Sequence, residues 1–293
     1  MAIEVVSIGS SSSGNSYIII AGQHTIILDV GLPAKKIKGA LEHLGCSPED
    51  VGAVLITHEH TDHVKSVRAI SRCCVNAGFF ASRGTVSRAQ NFCYVPEERI
   101  HLMSGGDSEV LECPGEGHSA YGPDEGSVVI HSFSLSHDAA EPLGFSVEAG
   151  GEKLAVVTDS GIITGEIFEA VKDADQLVFE ANHDEEMLMF GEYPYPVKVR
   201  IKSDMGHLSN VYAGDVLARI LEYRKSGQGV RPLGRKPLRI MLAHLSFHNN
   251  IPLFAKQTVE DRLAERGFVK GEDYLLDVAA KEGLTFMPGD SDD

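Results

Sequence analysis

Short apolar runs alternate with stretches of helical periodicity along most of the chain. Runs rich in β-branched residues predict buried strands, and amphipathic stretches predict helices. The predicted strands are Ile3–Ile8, Tyr17–Ala21, Thr25–Leu28, Val54–Ile56, Gly78–Ala81, Val128–Leu135, Gly144–Glu148, Lys153–Thr158, Gln176–Phe179 and Arg239–Ala243. The predicted helices are Pro33–Leu44, Val64–Cys73, Thr85–Phe92, Ser209–Tyr223 and Phe254–Arg266. This alternation is typical of an α/β protein.

No boundary divides the pattern, so residues 1–287 are predicted to form one domain and the acidic residues 288–293 a disordered tail. A chain of 293 residues can bury a sizeable core. The first residues open directly into a strand pattern, unlike a signal peptide. No apolar run approaches the roughly 18 residues that a membrane span needs. Five cysteines without a CxxC pair favour reduced thiols in the cytoplasm.

The net charge of −16 changes what can be expected of a nucleic-acid partner. Proteins that grip nucleic acid usually carry a basic footprint, so this charge counts against tight, sequence-independent DNA binding. Two basic clusters are nevertheless candidates for phosphate contacts. One contains Arg231, Arg235 and Lys236, and the other Lys198, Arg200 and Lys202.

Three histidines and an aspartate follow the predicted strand Val54–Ile56 within a few residues. They are His58, His60, Asp62 and His63. Imidazole and carboxylate groups are the ligands that zinc, manganese or iron takes from a protein. A loop at the carboxyl end of a buried strand can aim all four side chains at one place. The spacing therefore predicts that His58 and His60 serve one metal, and that Asp62 and His63 reach a second.

Other candidate ligands also follow predicted strands. His137, Asp159 and His244 each come directly after one, and a carboxylate at Asp159 could bridge two metals. Asp29 follows an earlier strand, where its carboxylate can accept a hydrogen bond from a ligand histidine or a loop amide.

The segment Thr57-His58-x-His60-x-Asp62-His63 resembles the HxHxDH signature of the metallo-β-lactamase superfamily, whose members are mostly dinuclear metal hydrolases. The later ligands follow in that family's order. The resemblance implies an αββα sandwich and two divalent ions per chain, zinc or manganese, with iron also permitted. It assigns His58, His60 and His137 to the first metal, Asp62, His63 and His244 to the second, Asp159 to the bridge between them, and Asp29 to the family's buried aspartate.

Four further segments resemble the bacterial YycJ/WalJ group, described as 5′-to-3′ exonucleases acting on double-stranded DNA. They are Gly9–Ser16, Glu180–Asp184, Gly206–Asn210 and Ala243–Asn250. These segments supply candidates for supporting the ligands or binding substrate, namely Ser13, Asn15, Asn182, His183 and Asn249. Only 84 residues separate Asp159 from His244, too few for the β-CASP insertion of related nucleases.

The resemblance implies hydrolysis of a phosphodiester by a metal-bridging hydroxide, with Asp62 and His207 as catalytic residues. Gly206-His207 is interpreted as opening a helix, where amides and the dipole favour an anion. His207 would then orient phosphate or protonate the leaving oxygen, although a helix cap is the structural alternative.

Other functions stay open at this point. An RNA or small-molecule phosphodiesterase of the same fold fits the acidic charge slightly better than a DNA exonuclease. A non-catalytic partner of a signalling system is a second alternative, against which the intact ligand positions count. The sequence predicts no membrane partner and does not indicate an oligomeric state.

Overall fold

The computed structural model describes residues 3–112, 126–227 and 236–289. The strands in these ranges are β1 Ile3–Gly9, β2 Ser16–Ala21, β3 His24–Leu28, β4 Val51–Leu55, β5 Gly78–Ala81, β6 Ile100–Leu102, β7 Ser108–Leu111, β8 Val128–Ser134, β9 Leu143–Ala149, β10 Glu152–Val157, β11 Gln176–Glu180, β12 Leu238–Ala243, β13 Tyr274–Val278 and β14 Thr285–Phe286. The α-helices are α1 Ala34–His43, α2 Thr61–Val64, α3 Val67–Cys73, α4 Arg83–Arg88, α5 Gly165–Val171, α6 Glu185–Phe190, α7 Tyr195–Ile201, α8 Asn210–Ser226 and α9 Pro252–Glu265. Short 3-10 helices lie at Pro48–Asp50, Gln90–Tyr94 and Glu97–Arg99.

The strands form two sheets of seven with matching architecture. The first has the order β14-β1-β2-β3-β4-β5-β6, and the second the order β13-β12-β11-β10-β9-β8-β7. In the first sheet, neighbouring strands pair antiparallel in the run β14-β1-β2-β3 and parallel in the run β3-β4-β5-β6. In the second, β7 to β10 pair antiparallel and β10 to β13 pair parallel.

Three clusters of buried apolar residues lie between the layers of helices and sheets. One lies between the sheets, because alternate residues of strands such as β2 and β3 face inward with Ile19 and Ile26. Their neighbours Ile18 and Ile27 face outward and pack beneath α1 and α3. The third cluster joins the second sheet to α5, α8 and α9. Helices therefore cover both outer faces, and the predicted αββα sandwich is confirmed.

Several element boundaries differ from the prediction. The helix predicted at Val64–Cys73 is interrupted, because the Ser66 amide donates to the Val30 carbonyl and its hydroxyl to the Leu32 carbonyl. The helix predicted at Thr85–Phe92 is α4 followed by a 3-10 helix. Pro288 of the predicted tail accepts a hydrogen bond from Arg239 (2.8 Å), whereas residues 290–293 lie outside the described ranges.

Five strands deliver their following residues to one edge of the sandwich. β3, β4, β10, β11 and β12 each take part in parallel pairing within their sheet. The segments that follow their carboxyl ends contain most of the candidate ligands. Among the described residues, no helix combines the length and apolar character needed to cross a membrane.

Candidate metal centre

A tight turn places the ligands of the 57–63 loop. His60 precedes the first turn of α2, and its carbonyl accepts from the His63 amide (2.9 Å) and the Val64 amide (3.2 Å). This turn buries His63 completely, while the Asp62 side chain stays 23% exposed. His58 is completely buried at the start of the loop. The loop therefore presents side chains in two directions, as the spacing predicts.

The structure brings His58, His60 and His137 together as one group, the first trio. The ring centroids lie 4.5 Å apart for His58 and His60, 5.2 Å for His58 and His137, and 5.1 Å for His60 and His137. One nitrogen of each ring lies within 4.8 Å of the others, a separation compatible with one bound metal.

The second trio contains Asp62, His63 and His244. The Asp62 Oδ2 atom lies 3.4 Å from His63 Nε2 and 3.6 Å from His244 Nε2. Asp159 stands between the trios: its carboxylate lies 3.3 Å from His63, 3.4 Å from His244 and 3.8 Å from His137. A carboxylate in this position can contact ions in both trios.

The backbone is strained at three of these positions. Asp29, Asp159 and His244 have φ angles of 57°, 62° and 56°, and they are the non-glycine residues with positive φ within the described ranges. Left-handed backbone is unfavourable for such residues and concentrates at functional sites. All three residues follow strand ends, and their left-handed backbone directs the side chains towards the metal centre.

Buried atoms without partners test whether the centre fits metal ions. His58 Nε2, His244 Nε2 and one oxygen of Asp159 are buried and form no hydrogen bond. An unsatisfied polar atom in the interior costs about 1–3 kcal/mol, and three adjacent ones are expensive. The ligand set of imidazoles and carboxylates fits a dinuclear site for divalent ions.

Comparison with known proteins agrees with this geometry. The sequence profile of the Beta-lactamase superfamily domain matches residues 29–226. The chain is 30% identical to Exodeoxyribonuclease YycJ of Bacillus anthracis over 277 residues, 94% of this chain and 95% of that protein. It is 32% identical to Exodeoxyribonuclease WalJ of Streptococcus pneumoniae strain D39 over 272 residues, 92% and 91% of the two chains. This chain belongs to the metallo-β-lactamase superfamily.

A solved structure supports the fold assignment. The metallo-β-lactamase fold protein YhfI from Bacillus subtilis superimposes with a TM-score of 0.64 at 14% identity, covering 97% of this chain and 98% of that one. At this identity the likeness establishes the shared metallo-β-lactamase fold.

Each trio of this metallo-β-lactamase centre has its own kind of supporting partner. His58 Nδ1 lies 3.0 Å from the Thr57 hydroxyl, and His137 Nδ1 lies 3.1 Å from the Gly206 carbonyl. The Thr57 hydroxyl donates to the Asp29 carboxylate, so His58 Nδ1 must donate to it. His58 Nε2 then keeps its lone pair for a metal.

Carboxylates support the second trio instead. His63 Nδ1 contacts Asp29 Oδ2 at 2.7 Å, and His244 Nδ1 contacts Glu180 Oε1 at 2.8 Å. Asp29 also accepts from the Thr57 amide at 2.9 Å. A carboxylate behind a ligand histidine fixes its tautomer and raises its basicity.

Glu180 is a site residue that the sequence analysis missed. It is completely buried at the end of β11, and Oε1 accepts from both His244 and His207, each at 2.8 Å. Its other oxygen accepts from the amides of Ser160 and Leu208. These partners hold the pKa of Glu180 low despite burial, which alone would raise it. A charged residue closing a buried apolar strand was the available signal.

His207 lies before α8 instead of at its cap. Ser209 caps that helix by accepting from the Tyr212 amide, and the His207 amide donates to the Ile201 carbonyl. The interpretation of His207 as a helix-opening residue is therefore wrong by two positions. Its ring centroid nevertheless lies 5.0 Å from that of His137 and 5.2 Å from that of His244. His207 also belongs to a further grouping of possible metal ligands, with Asp159, Glu180 and His244.

Electrostatics separate the two trios further. Burial lowers the pKa of His58 well below its usual value, and the neighbouring histidines act in the same direction. Burial likewise lowers the pKa of His137. Both rings are therefore neutral at pH 7, in the form that ligates metal.

The second trio behaves in the opposite way. Burial disfavours the charged forms of His63 and His244, but neighbouring carboxylates outweigh it. Asp29 and Asp159 lead in raising the pKa of His63 well above its usual value. Asp159, with help from Asp62 and Glu180, raises the pKa of His244 to about 10. Without metal, the rings of His63 and His244 are therefore protonated on both nitrogens and positively charged at pH 7.

The remaining candidate residues differ in whether they contact a metal ligand. Asn15 Nδ2 reaches His63 Nε2 at 3.2 Å and Asp62 Oδ2 at 3.4 Å. Asn182 donates to the His244 carbonyl at 2.8 Å. Ser13 is exposed, and within the described residues its hydroxyl makes no hydrogen bond to the centre.

His183 and Asn249 are both buried. The Asp184 amide donates to the Asn249 carbonyl, and the Asn249 side chain donates to Ser246. Burial lowers the pKa of His183 to about 4, and its Nδ1 has no partner. Neither side chain is part of a ligand grouping among the described residues.

The residues of the two basic clusters predicted to contact DNA differ in their partners. Arg200 forms an ion pair with Asp138, and Lys198 donates to the carbonyls of Met189 and Gly191. Lys202 has no ion pair among the described residues, and Lys236 lies 3.6 Å from Glu152. Arg231 and Arg235 lie outside the described ranges.

Proposed function

We propose that this chain is a dinuclear metal-dependent phosphodiesterase, and specifically a 5′-to-3′ exonuclease acting on DNA. The observation that carries the proposal is the pair of trios sharing Asp159, with the His207–Glu180 pair beside them. Relatives named exodeoxyribonucleases match it over more than nine-tenths of both chains. The proposal extends to residues 1–287 acting as one catalytic domain, without a β-CASP insertion.

The two trios would hold one divalent ion each, with Asp159 contacting both. Zinc suits the nitrogen-rich donors, and the carboxylates also permit manganese or iron. When bound, such ions neutralise phosphate charge and make water more acidic. Asp62, partly exposed at the open side of the second trio, can orient the water that attacks phosphorus.

His207 is proposed as the proton donor to the leaving oxygen. Its side chain is 17% exposed, and Nδ1 is engaged by the buried Glu180 carboxylate. This contact orients the ring and leaves Nε2 for the substrate. Asn15, Asn182, His183 and Asn249 would support the ligands, and Ser13 would contact substrate at the rim.

The cellular setting completes the proposal. Cys46, Cys73, Cys74 and Cys93 carry free thiols, which suits the reducing cytoplasm. DNA is the proposed partner, and no membrane partner is proposed.

Parallel degradation assays test this function. Metal-loaded protein should convert linear duplex DNA carrying a label at either 5′ or 3′ end into nucleotides, releasing the 5′ label first, while closed circular DNA survives. Duplex RNA and cyclic nucleotides serve as comparison substrates. Efficient turnover of RNA or a small phosphodiester without DNA loss would move the assignment to that substrate class. Inactivity on every phosphodiester, in protein holding two metals, would favour a binding partner in signalling.

A further inference from the structure

The helical segment that follows the metal loop has one exposed face. That face begins at the metal-ligand position Asp62 and continues through Lys65, Arg68 and Arg72, about one helical turn apart. The opposite face is buried against the first sheet. The three cations, termed the basic tract, therefore form a line leading away from the metal centre.

The basic tract is free of acidic partners. None of Lys65, Arg68 and Arg72 forms an ion pair with a carboxylate in the described part of the chain. Arg68 instead stacks at 4.0 Å over the ring of Tyr94, which is itself partly exposed. A guanidinium held flat on an aromatic ring keeps its edge N–H groups available for phosphate oxygens.

The tract lies in a part of this acidic protein that carries a small positive charge. Residues 30–100 contain nine Lys or Arg and seven Asp or Glu, whereas the whole chain has a net charge of −16. The nearby acids Glu97 and Glu98 stand at the far end, on the 3-10 helix whose Arg99 donates to the carbonyls that end α3. The acidic Glu59 and Asp62 lie at the metal end. The cations between them present a local positive surface.

We infer that the basic tract binds the phosphodiester backbone of linear DNA as one strand enters the metal centre. This inference rests on the proposed function and adds the surface that positions its substrate. From Lys65, in the turn between α2 and α3, to Arg72, near the end of α3, the tract rises roughly 10 Å, the length of about three nucleotides along one strand. Lysine and arginine contacts to phosphate carry no sequence information, as an exonuclease requires. A confined positive surface also explains how so acidic a chain can hold DNA.

A neutralised variant with a matched control tests the tract. The variant is Lys65→Gln, Arg68→Gln, Arg72→Gln, and the control is Lys256→Gln, Arg266→Gln, Lys270→Gln, which removes the same charge around α9. For each metal-loaded protein, kcat/KM on a blunt linear duplex is measured across a salt series. Lost phosphate contacts should flatten the plot of log kcat/KM against log salt by about 0.9 each, so by two to three in total. Hydrolysis of bis(p-nitrophenyl) phosphate should be unchanged, because this substrate is too small to reach the tract.

The outcomes separate the two proposals. If the wild type degrades DNA and the tract variant keeps the salt slope of the control, the tract inference is overturned alone. If the wild type hydrolyses only the small phosphodiester, the DNA function fails and the tract fails with it. A flattened slope together with lost bis(p-nitrophenyl) phosphate activity would mean damage to the metal loop and would also overturn the assignment.

Discussion

Different partners stand behind the ligand nitrogens of the two trios. His58 and His137 of the first trio rest on a hydroxyl and a backbone carbonyl, both neutral. His63 and His244 of the second rest on buried carboxylates. The pKa values of these four histidines diverge accordingly, lowered for His58 and His137 and raised for His63 and His244. The 57–63 loop thus contributes ligands to two unlike halves of a single centre.

The difference teaches how the centre is charged before metal arrives. In the first trio His58 and His137 offer neutral lone pairs, so a cation entering it displaces few protons. In the second trio, protons on His63 and His244 neutralise the surrounding carboxylates. A cation entering there must replace these protons. The second half is therefore held together by charge in either state, whereas His58 and His137 of the first are held by hydrogen bonds to neutral partners.

The largest effect is expected from removing a ligand from either half. Metal-reloaded wild type should contain about two ions per chain, and both His58→Ala and His244→Ala should fall towards one. Loss of an ion removes several kcal/mol of transition-state stabilisation, so turnover should fall by about a thousandfold or more. Elemental analysis and steady-state kinetics check both values. A wild-type content well under one ion after reloading would refute the dinuclear centre.

Removing His207 should have the next largest effect, without touching either ion. If this histidine donates a proton, His207→Ala should lower turnover of DNA by roughly a hundredfold to ten-thousandfold. Bis(p-nitrophenyl) phosphate has a good leaving group and should lose less. Equal losses on both substrates would point to phosphate positioning instead. A drop in metal content would place His207 among the ligands, in the grouping it shares with Asp159 and Glu180.

The sequence analysis proposed the ligands of both trios and the support from Asp29, but it missed Glu180. The ligands themselves lie in a dense local motif or directly after apolar strands, so spacing and strand pattern locate them. Glu180 has no such context, because a single carboxylate at a strand end acquires its role only when β11 and β12 pair side by side. The strand and helix pattern predicts only an α/β protein, and the αββα sandwich came from the resemblance of the histidine motif to the metallo-β-lactamase superfamily.

Tertiary contacts add partners that the local sequence does not show. Arg200, for example, pairs with Asp138, 62 positions away. Lys65, Arg68 and Arg72, proposed above to bind DNA, are spread along a predicted helix instead of forming a run, so the local sequence does not mark them as a cluster. Short edge strands such as β6 and β14 carry too few residues to show an alternating pattern.

Proton release should distinguish the halves directly. At pH 7 the first equivalent of metal should fill the neutral trio and release few protons, and the second should release about two, from His63 and His244. Affinity for the second ion should therefore strengthen with rising pH, by up to about a hundredfold per unit below the pKa of about 10 of His244. Titration calorimetry in buffers of different ionisation enthalpy measures the protons. If both equivalents of metal release the same number of protons, the two halves do not differ in protonation as proposed.

The smallest expected effect comes from changing a supporting partner while keeping every ligand. Asp29→Asn removes the carboxylate behind His63 and should weaken the second ion by about ten- to a hundredfold. Thr57→Val removes the neutral partner of His58 and should weaken the first ion by less. Competition with a chelator measures both affinities, and thermal unfolding of the metal-free proteins shows whether each variant folds. Because Thr57 also donates to Asp29, some loss at the second ion is expected in Thr57→Val as well. If the two variants weaken the same ion to the same extent, Thr57 and Asp29 act as one unit, and the halves are not supported separately.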